Sequence, residues 1–222
     1  MLLLIPVALA SPHRVLIDPG HGEPDNPGNT GATCLSEQDE MLRVALELEE
    51  RLEPEYEVRL TREGEDQTGY AERVASAGDA EVFLSLHSDA RATSEGVEVD
   101  GCMRNLGHPG FTILVSDEPE DRDGRLRLAR SLADGMLAED FVAYDGRDYK
   151  AAYDAEGTPG VFLDRRGLRM LRRPTMPSVI IETHHAWDPA EVEAWQQEET
   201  MDRFARAVDA GLDAYFASPA ED

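Results

Sequence analysis

The sequence predicts an α/β protein. It should form a single domain on a mostly parallel twisted sheet, flanked by helices on both faces, with its site at the carboxyl ends of the strands. Three observations carry this. Short apolar runs at 15–17, 82–86 and 179–181 alternate with stretches at helical spacing, the pattern of strand–helix–strand units. These runs lead into Asp18, His87 and Glu182, and in open α/β sheets the carboxyl ends of the strands form the ligand crevice. No linker or internal repeat divides the 222 residues, a length that one core can serve.

The first strand, 15–17, enters Asp18-Pro19-Gly20-His21-Gly22 and a Gly/Pro/Asn-rich loop over 20–33, suited to approaching a ligand closely. A helix starts at Ser36, a good N-cap, with Asp39 in capping-box spacing. Its buried stripe is Met41, Leu42, Ala45, Leu48 and Leu52. Residues 56–61 alternate as a strand, and a short helix over 70–77 carries Arg73 into the strand that ends at His87. Two further strands fall at 96–99 and 111–115, and an acidic turn at 117–123 leads to a helix over about 124–138. Residues 140–167 show weak periodicity and read as a long surface excursion over the site, since structureless loops of that length are usually functional. The last helix, about 199–216, buries Phe204, Val208, Leu212 and Tyr215.

Composition narrows the partners. An apolar fraction of 41% argues for a folded chain. Acidic residues number 46 against 21 basic, a formal charge of −25, and Lys150 is the single lysine. Such a surface repels nucleic acid and anionic membranes, so neither is an expected partner. Two readings of the charge stay open: adaptation to high salt, where screening weakens self-repulsion, or a genome bias towards arginine and acid. Residues 1–10, MLLLIPVALA, read as the apolar core of an export signal with a small-x-small cleavage site, though without a basic leader; the alternative is a buried N-terminal strand. They are too short to span a membrane. Residues 11–222 are then the exported mature domain, expected as a monomer. Cys34 and Cys102 form one disulfide in an exported protein or remain two buried thiols.

His21, Glu37 and His87 offer two imidazoles and a carboxylate, a three-ligand zinc set with one position left for water, and Glu182 is placed to act as base. Each residue has a plainer reading alone. A histidine after a strand is more often a satisfied structural residue, and glutamate in a first helical turn is favoured by the helix dipole. His87 ends an apolar strand and needs a polar partner there. Their joint placement at one sheet edge is what points to a metallohydrolase.

The same residues resemble the zinc-dependent N-acetylmuramoyl-L-alanine amidases of the amidase-3 family. VLIDPGHG at 15–22 is similar to the family's opening strand and first histidine ligand. Ser36-Glu37-Gln38-Asp39, with Leu42, Ala45 and Leu48, resembles the helix start that carries its glutamate ligand. Leu60-Thr61-Arg62, Asp66, Arg73 and FLSLHSDA at 83–90 resemble the threonine-arginine strand and third-ligand segment. PSVIIETHHAWD at 177–188 resembles the segment of the catalytic glutamate, which falls on Glu182. The chain departs from the pattern at Gln38, where the family usually has lysine, and at His184-His185, where it usually has glycine and an aromatic.

The resemblance implies zinc on His21, Glu37 and His87, with Glu182 as catalytic base. It also implies hydrolysis of the amide between N-acetylmuramic acid and L-alanine in peptidoglycan. Side chains alternate along a strand, so His184 is expected to share Glu182's side and reach the site, more than His185. Asp18 is expected to support the histidine loop, by backbone hydrogen bonds or behind a ligand. Arg62 and Arg73 are expected to pair with buried carboxylates rather than bind substrate carboxylates, and His13 and His108 to lie on the surface. The competing readings are a zinc amidohydrolase of small N-acyl amino acids and a degenerate fold that binds wall fragments without cleaving them.

Overall fold

The computed structural model describes residues 11–53, 55–64, 68–118, 120–149 and 157–218. The apolar segment 1–10, Asp66 and residues 150–156 of the excursion lie outside the described residues. The elements in chain order are β1 (Arg14–Pro19), α1 (Glu37–Leu52), β2 (Glu57–Leu60), α2 (Tyr70–Ala75), β3 (Val82–Asp89), β4 (Val97–Val99), β5 (Cys102–Arg104) and β6 (Thr112–Ser116). They continue with α3 (Arg122–Ala138), β7 (Val161–Asp164), α4 (Arg169–Arg172), β8 (Ser178–His185), α5 (Pro189–Trp195) and α6 (Glu198–Ala217).

Six strands form one sheet in the order β2-β1-β3-β8-β6-β7. The first four are parallel, β6 runs antiparallel to β8, and β7 is parallel to β6. The expected mostly parallel sheet is present, with its last two strands reversed. β4 and β5 form a separate antiparallel hairpin.

Alternation along the strands sorts residues to two faces. Val15, Ile17, Leu84, Val179 and Ile181 join the larger core under α1, α3 and α6. Leu16, Phe83, Leu114 and Ile180 join the smaller core with Met170 and Leu171 of α4, and Tyr70 and Val74 of the α2 region pack against it. Helix α1 begins as expected: Ser36 is its N-cap, accepting from the Asp39 amide and donating to Asp39 Oδ2 at 2.6 Å. Its buried stripe includes Val44, whereas Leu42 is only half-buried.

Two expectations need correction. The excursion over 140–167 is not structureless throughout, because Val161–Asp164 is strand β7 at the sheet edge, buried along its whole length. A strand buried on both faces carries no alternation to read. His108 is buried rather than on the surface, its Nδ1 2.6 Å from Asp148 Oδ2. His13 is exposed and stacks on Phe216. The cysteines are bonded: Cys34 and Cys102, 5.0 Å apart at Cα, tie the loop before α1 to β5. Among the described residues no helix is long and apolar enough to cross a membrane.

Candidate metal centre

Three elements bring the expected ligands together. His21 follows β1 in the left-handed backbone region at φ 63°, a conformation that costs a non-glycine residue energy and clusters at functional sites. Glu37 opens α1, and His87 lies near the end of β3. Glu37 Oε2 is 3.1 Å from His21 Nε2, and Glu37 Oε1 is 2.9 Å from His87 Nδ1. One ligand atom from each residue lies within 4.8 Å of the others. Ligands at about 2.1 Å around a tetrahedral zinc stand about 3.4 Å apart, so small shifts would close the group on an ion.

The surroundings hold this geometry. A Cβ on Gly20 would lie 2.6 Å from His87 Cε1, and one on Gly28, where φ is +78°, would lie 2.6 Å from Glu37 Oε2. Only glycine lets the loop rest against ring and carboxylate. Glu37 also accepts from the Asn29 amide at 3.0 Å, Asn29 Nδ2 at 2.7 Å and the Ser88 amide at 3.2 Å. Burial opposes the charge on Glu37, but hydrogen bonds from His21 and His87 outweigh it and hold its pKa well below the carboxylate range. Burial likewise opposes a charged His21, yet its contact with Glu37 leaves the imidazole's pKa raised.

A chain of buried polar groups fixes the orientation of His21. Asp18 is fully buried and accepts from Thr61 and Ser85 hydroxyls at 2.6 Å and from Arg73 Nε and Nη2 at 2.7 Å. Arg73, also fully buried, donates from Nη1 to the His21 carbonyl at 2.9 Å and to Glu23 Oε1 at 2.6 Å. Asn26 Nδ2 donates to Glu23 Oε2 at 2.8 Å, which turns Asn26 Oδ1 towards His21 Nδ1 at 3.1 Å. An amide oxygen there requires a proton on Nδ1, leaving Nε2 as the metal-facing nitrogen. Asp18 thus supports the histidine loop, but through Arg73 and without touching an imidazole. Arg73 is enclosed by the carboxylates of Asp18 and Glu23. Arg62 is buried too and donates to the carbonyls of Gly20 and Gln38 at 3.1 and 2.7 Å. Glu23 and Asn26 were not singled out from the sequence; their part depends on the turn at His21, which sequence spacing does not reveal.

Glu182 pairs with His87 across the β3–β8 ladder. Its Oε2 is buried without a hydrogen-bond partner. Burial pushes its pKa up to about 8, helped by the charges of Asp89 and Glu37. It lines a cleft of about 580 Å³ with Asp89, Arg91, Leu114 and Tyr149. Tyr149 donates to Asp89 Oδ2 at 2.5 Å, so the described start of the excursion does border this cleft.

His184 does not join the site. Three residues of β3, from His87 to Asp89, face four of β8, from Glu182 to His185, and this bulge breaks the alternation. His184 turns to the opposite face, stacked on Trp195 at 5.3 Å with Nε2 3.6 Å from Glu40 Oε1. Complete burial pushes its pKa down to about 3, so it is neutral. His185 is buried with Nδ1 between the Asp89 carbonyl, 3.0 Å, and the Arg91 amide, 3.3 Å.

Fold and site together define a class: an α/β protein with a metallohydrolase-type donor set at the carboxyl ends of its parallel strands. The chain belongs to the amidase-3 family of N-acetylmuramoyl-L-alanine amidases, whose model matches residues 15–214. It is 26% identical over 219 residues to an N-acetylmuramoyl-L-alanine amidase AmiC of Neisseria meningitidis, covering 90% of this chain and 52% of that protein. An AmiC of Escherichia coli is 24% identical over 229 residues, covering 94% and 54%. The chain therefore spans about half the length of these curated relatives. An N-acetylmuramoyl-L-alanine amidase from Clostridium difficile shares the fold at a TM-score of 0.72 and 22% identity, covering 95% of this chain and all of that one. The apo form of Ami1 from Mycobacterium abscessus does so at 0.74 and 18%, covering 94% and 100%.

Proposed function

We propose that this chain is a zinc-dependent N-acetylmuramoyl-L-alanine amidase that frees stem peptides from peptidoglycan outside the cytoplasm. The observation that carries the reading is the convergence of His21, Glu37 and His87 beside Glu182, whose buried Oε2 lacks a partner. Two imidazoles and one carboxylate suit zinc and leave a coordination position open. Bound there, zinc supplies Lewis-acid polarisation of the amide carbonyl and a lowered water pKa.

The protein's own groups do the rest. Asn26 keeps the His21 proton on Nδ1, and Asn29 and Ser88 hold Glu37 in place. Glu182, ionised in the presence of the cation, removes a proton from the attacking water as the C–O bond forms. It returns that proton to the alanine nitrogen as the C–N bond breaks. The substrate lies outside the cytoplasm, which agrees with the signal-like residues 1–10.

The test is digestion of purified peptidoglycan by the zinc-loaded protein in low and multimolar salt, with mass spectrometry of soluble products. Stem peptides beginning with L-alanine, glycan stripped of peptide, and loss of both with a chelator are expected. Intact wall with cleavage of small N-acyl amino acids would replace this reading by a small-amide hydrolase. Absence of zinc binding would replace it by a non-catalytic wall-binding fold.

A further inference from the structure

The opposite end of the sheet carries a second polar pocket. β6 and β7 run against β8, so their carboxyl ends lie away from the metal centre. Carboxyl ends of strands form ligand crevices in α/β sheets. There a cavity of about 690 Å³ opens between the start of α3 and the chain after β7, lined among others by Arg125, Arg169, Arg172 and Arg173. Residues 165–173 hold five arginines and no acid in a chain of net charge −25; Arg165, Arg166 and Arg172 pair with Asp117, Asp164 and Glu118, and Arg169 and Arg173 line the cavity with Arg125.

The decisive residue is Arg125. It is 4% exposed, and its Nε and Nη1 are buried with no hydrogen-bond partner. Burying a guanidinium with two of its nitrogens lacking acceptors is costly. Glu118, Glu120 and Asp121 also line the cavity but do not answer it. Glu118 pairs with Arg172, and no ion pair joins Glu120 or Asp121 to Arg125, Arg169 or Arg173 among the described residues. The amino end of the 17-residue helix α3 adds a positive dipole end. Planar guanidinium forks match tetrahedral phosphate and carboxylate oxygens in pairs, and the cavity is large enough for a small molecule.

We propose that the Arg125 pocket binds a multiply charged oxyanion, with a phosphate group as the preferred chemistry. Arg125 forms its floor, and Arg169 and Arg173 close over the ligand. The site is separate from the metal centre and does not depend on the amidase reading.

The test is titration of the metal-free and zinc-loaded protein with inorganic phosphate, pyrophosphate and citrate, with potassium chloride at matched ionic strength as control. Melting temperature and the Nε–Hε NMR signal of Arg125 are the readouts. Saturable stabilisation by phosphate or pyrophosphate is expected, with movement of the Arg125 signal. Arg125→Met and Arg173→Ala should each weaken half-saturation at least about tenfold, and should leave hydrolysis without added anion unchanged. Arg173→Ala decides the matter if Arg125→Met fails to fold. Stronger binding of citrate would overturn the phosphate preference. No response beyond chloride, or an equal response in the folded variants, would overturn the site.

Discussion

At the carboxyl ends of β1 and β3, Asp18, Arg73, Glu23 and Asn26 answer one another and end on His21 Nδ1. At the carboxyl ends of β6 and β7, Arg125 is as deeply buried but has two nitrogens without acceptors. The difference shows what buried charge does in this fold. A closed network fixes the geometry of a neighbour, here an imidazole. A charge left open calls for something from outside. At the metal centre both kinds meet, because the closed chain orients His21 while Glu182 keeps an unsatisfied oxygen for the reaction.

The comparison breaks most visibly when one partner of each buried group is removed. Arg73→Met strands Asp18 and Glu23 and should cost about 3–5 kcal/mol. In a chain of this size that lowers the melting temperature by about 10 °C. Arg125→Met strands no carboxylate and should leave the melting temperature unchanged or higher. Equal losses in the two variants would erase the distinction.

Reducing the Cys34–Cys102 bond tests a different restraint on the metal-side loop. It should cost about 2–4 kcal/mol and be read as a lower denaturant midpoint. The same midpoint with and without reductant would show that the cross-link contributes nothing.

Asn26→Ala removes the acceptor on His21 Nδ1. Losing such a partner behind a metal ligand should weaken zinc binding about 10–100-fold, measured by competition with a chelating dye. Unchanged affinity would mean that the Asp18-to-Asn26 chain serves folding alone.

A pH-dependent effect separates the open carboxyl from the closed ones. Glu182 has a folded pKa of about 8 against an ordinary value of 4.5, so in the metal-free state the folded protein binds more protons than the unfolded chain. Stability therefore falls as pH rises from about 4.5 to about 8. Glu182→Gln lacks this loss, so its melting temperature relative to the parent should rise across that window and level off above it. A flat difference would contradict the buried placement of the carboxyl. The smallest change is expected from His184→Phe, a volume-similar swap on the Trp195 side that should cost less than about 1.5 kcal/mol and leave hydrolysis intact. A collapse of activity would restore His184 to the site.

The parallel half of the sheet was legible because its strands are apolar runs, at 15–17, 82–86 and 179–181, that lead into Asp18, His87 and Glu182 and alternate with stretches at helical spacing. The reversed half was harder. Val161–Asp164 is four buried residues among glycines and arginines, without a period to separate strand from loop. The grouping of His21, Glu37 and His87 was legible because the two histidines follow apolar runs and through the resemblance of their motifs, which also picked out Glu37 at a helix start. His184 was misplaced because a bulge depends on how two strands pair, and neither strand alone records it. Glu23 and Asn26 escaped notice because they become partners of Arg73 and His21 only after the chain turns through positive φ at His21.

The most direct test of the central claim is zinc stoichiometry and peptidoglycan turnover measured together on Glu182→Gln. One zinc per chain, as in the parent, is expected, with turnover reduced about 10²–10⁴-fold, the usual contribution of a positioned acid–base group. Turnover within a few-fold of the parent, or loss of zinc with the substitution, would contradict the division of labour between Glu182 and the His21, Glu37 and His87 group.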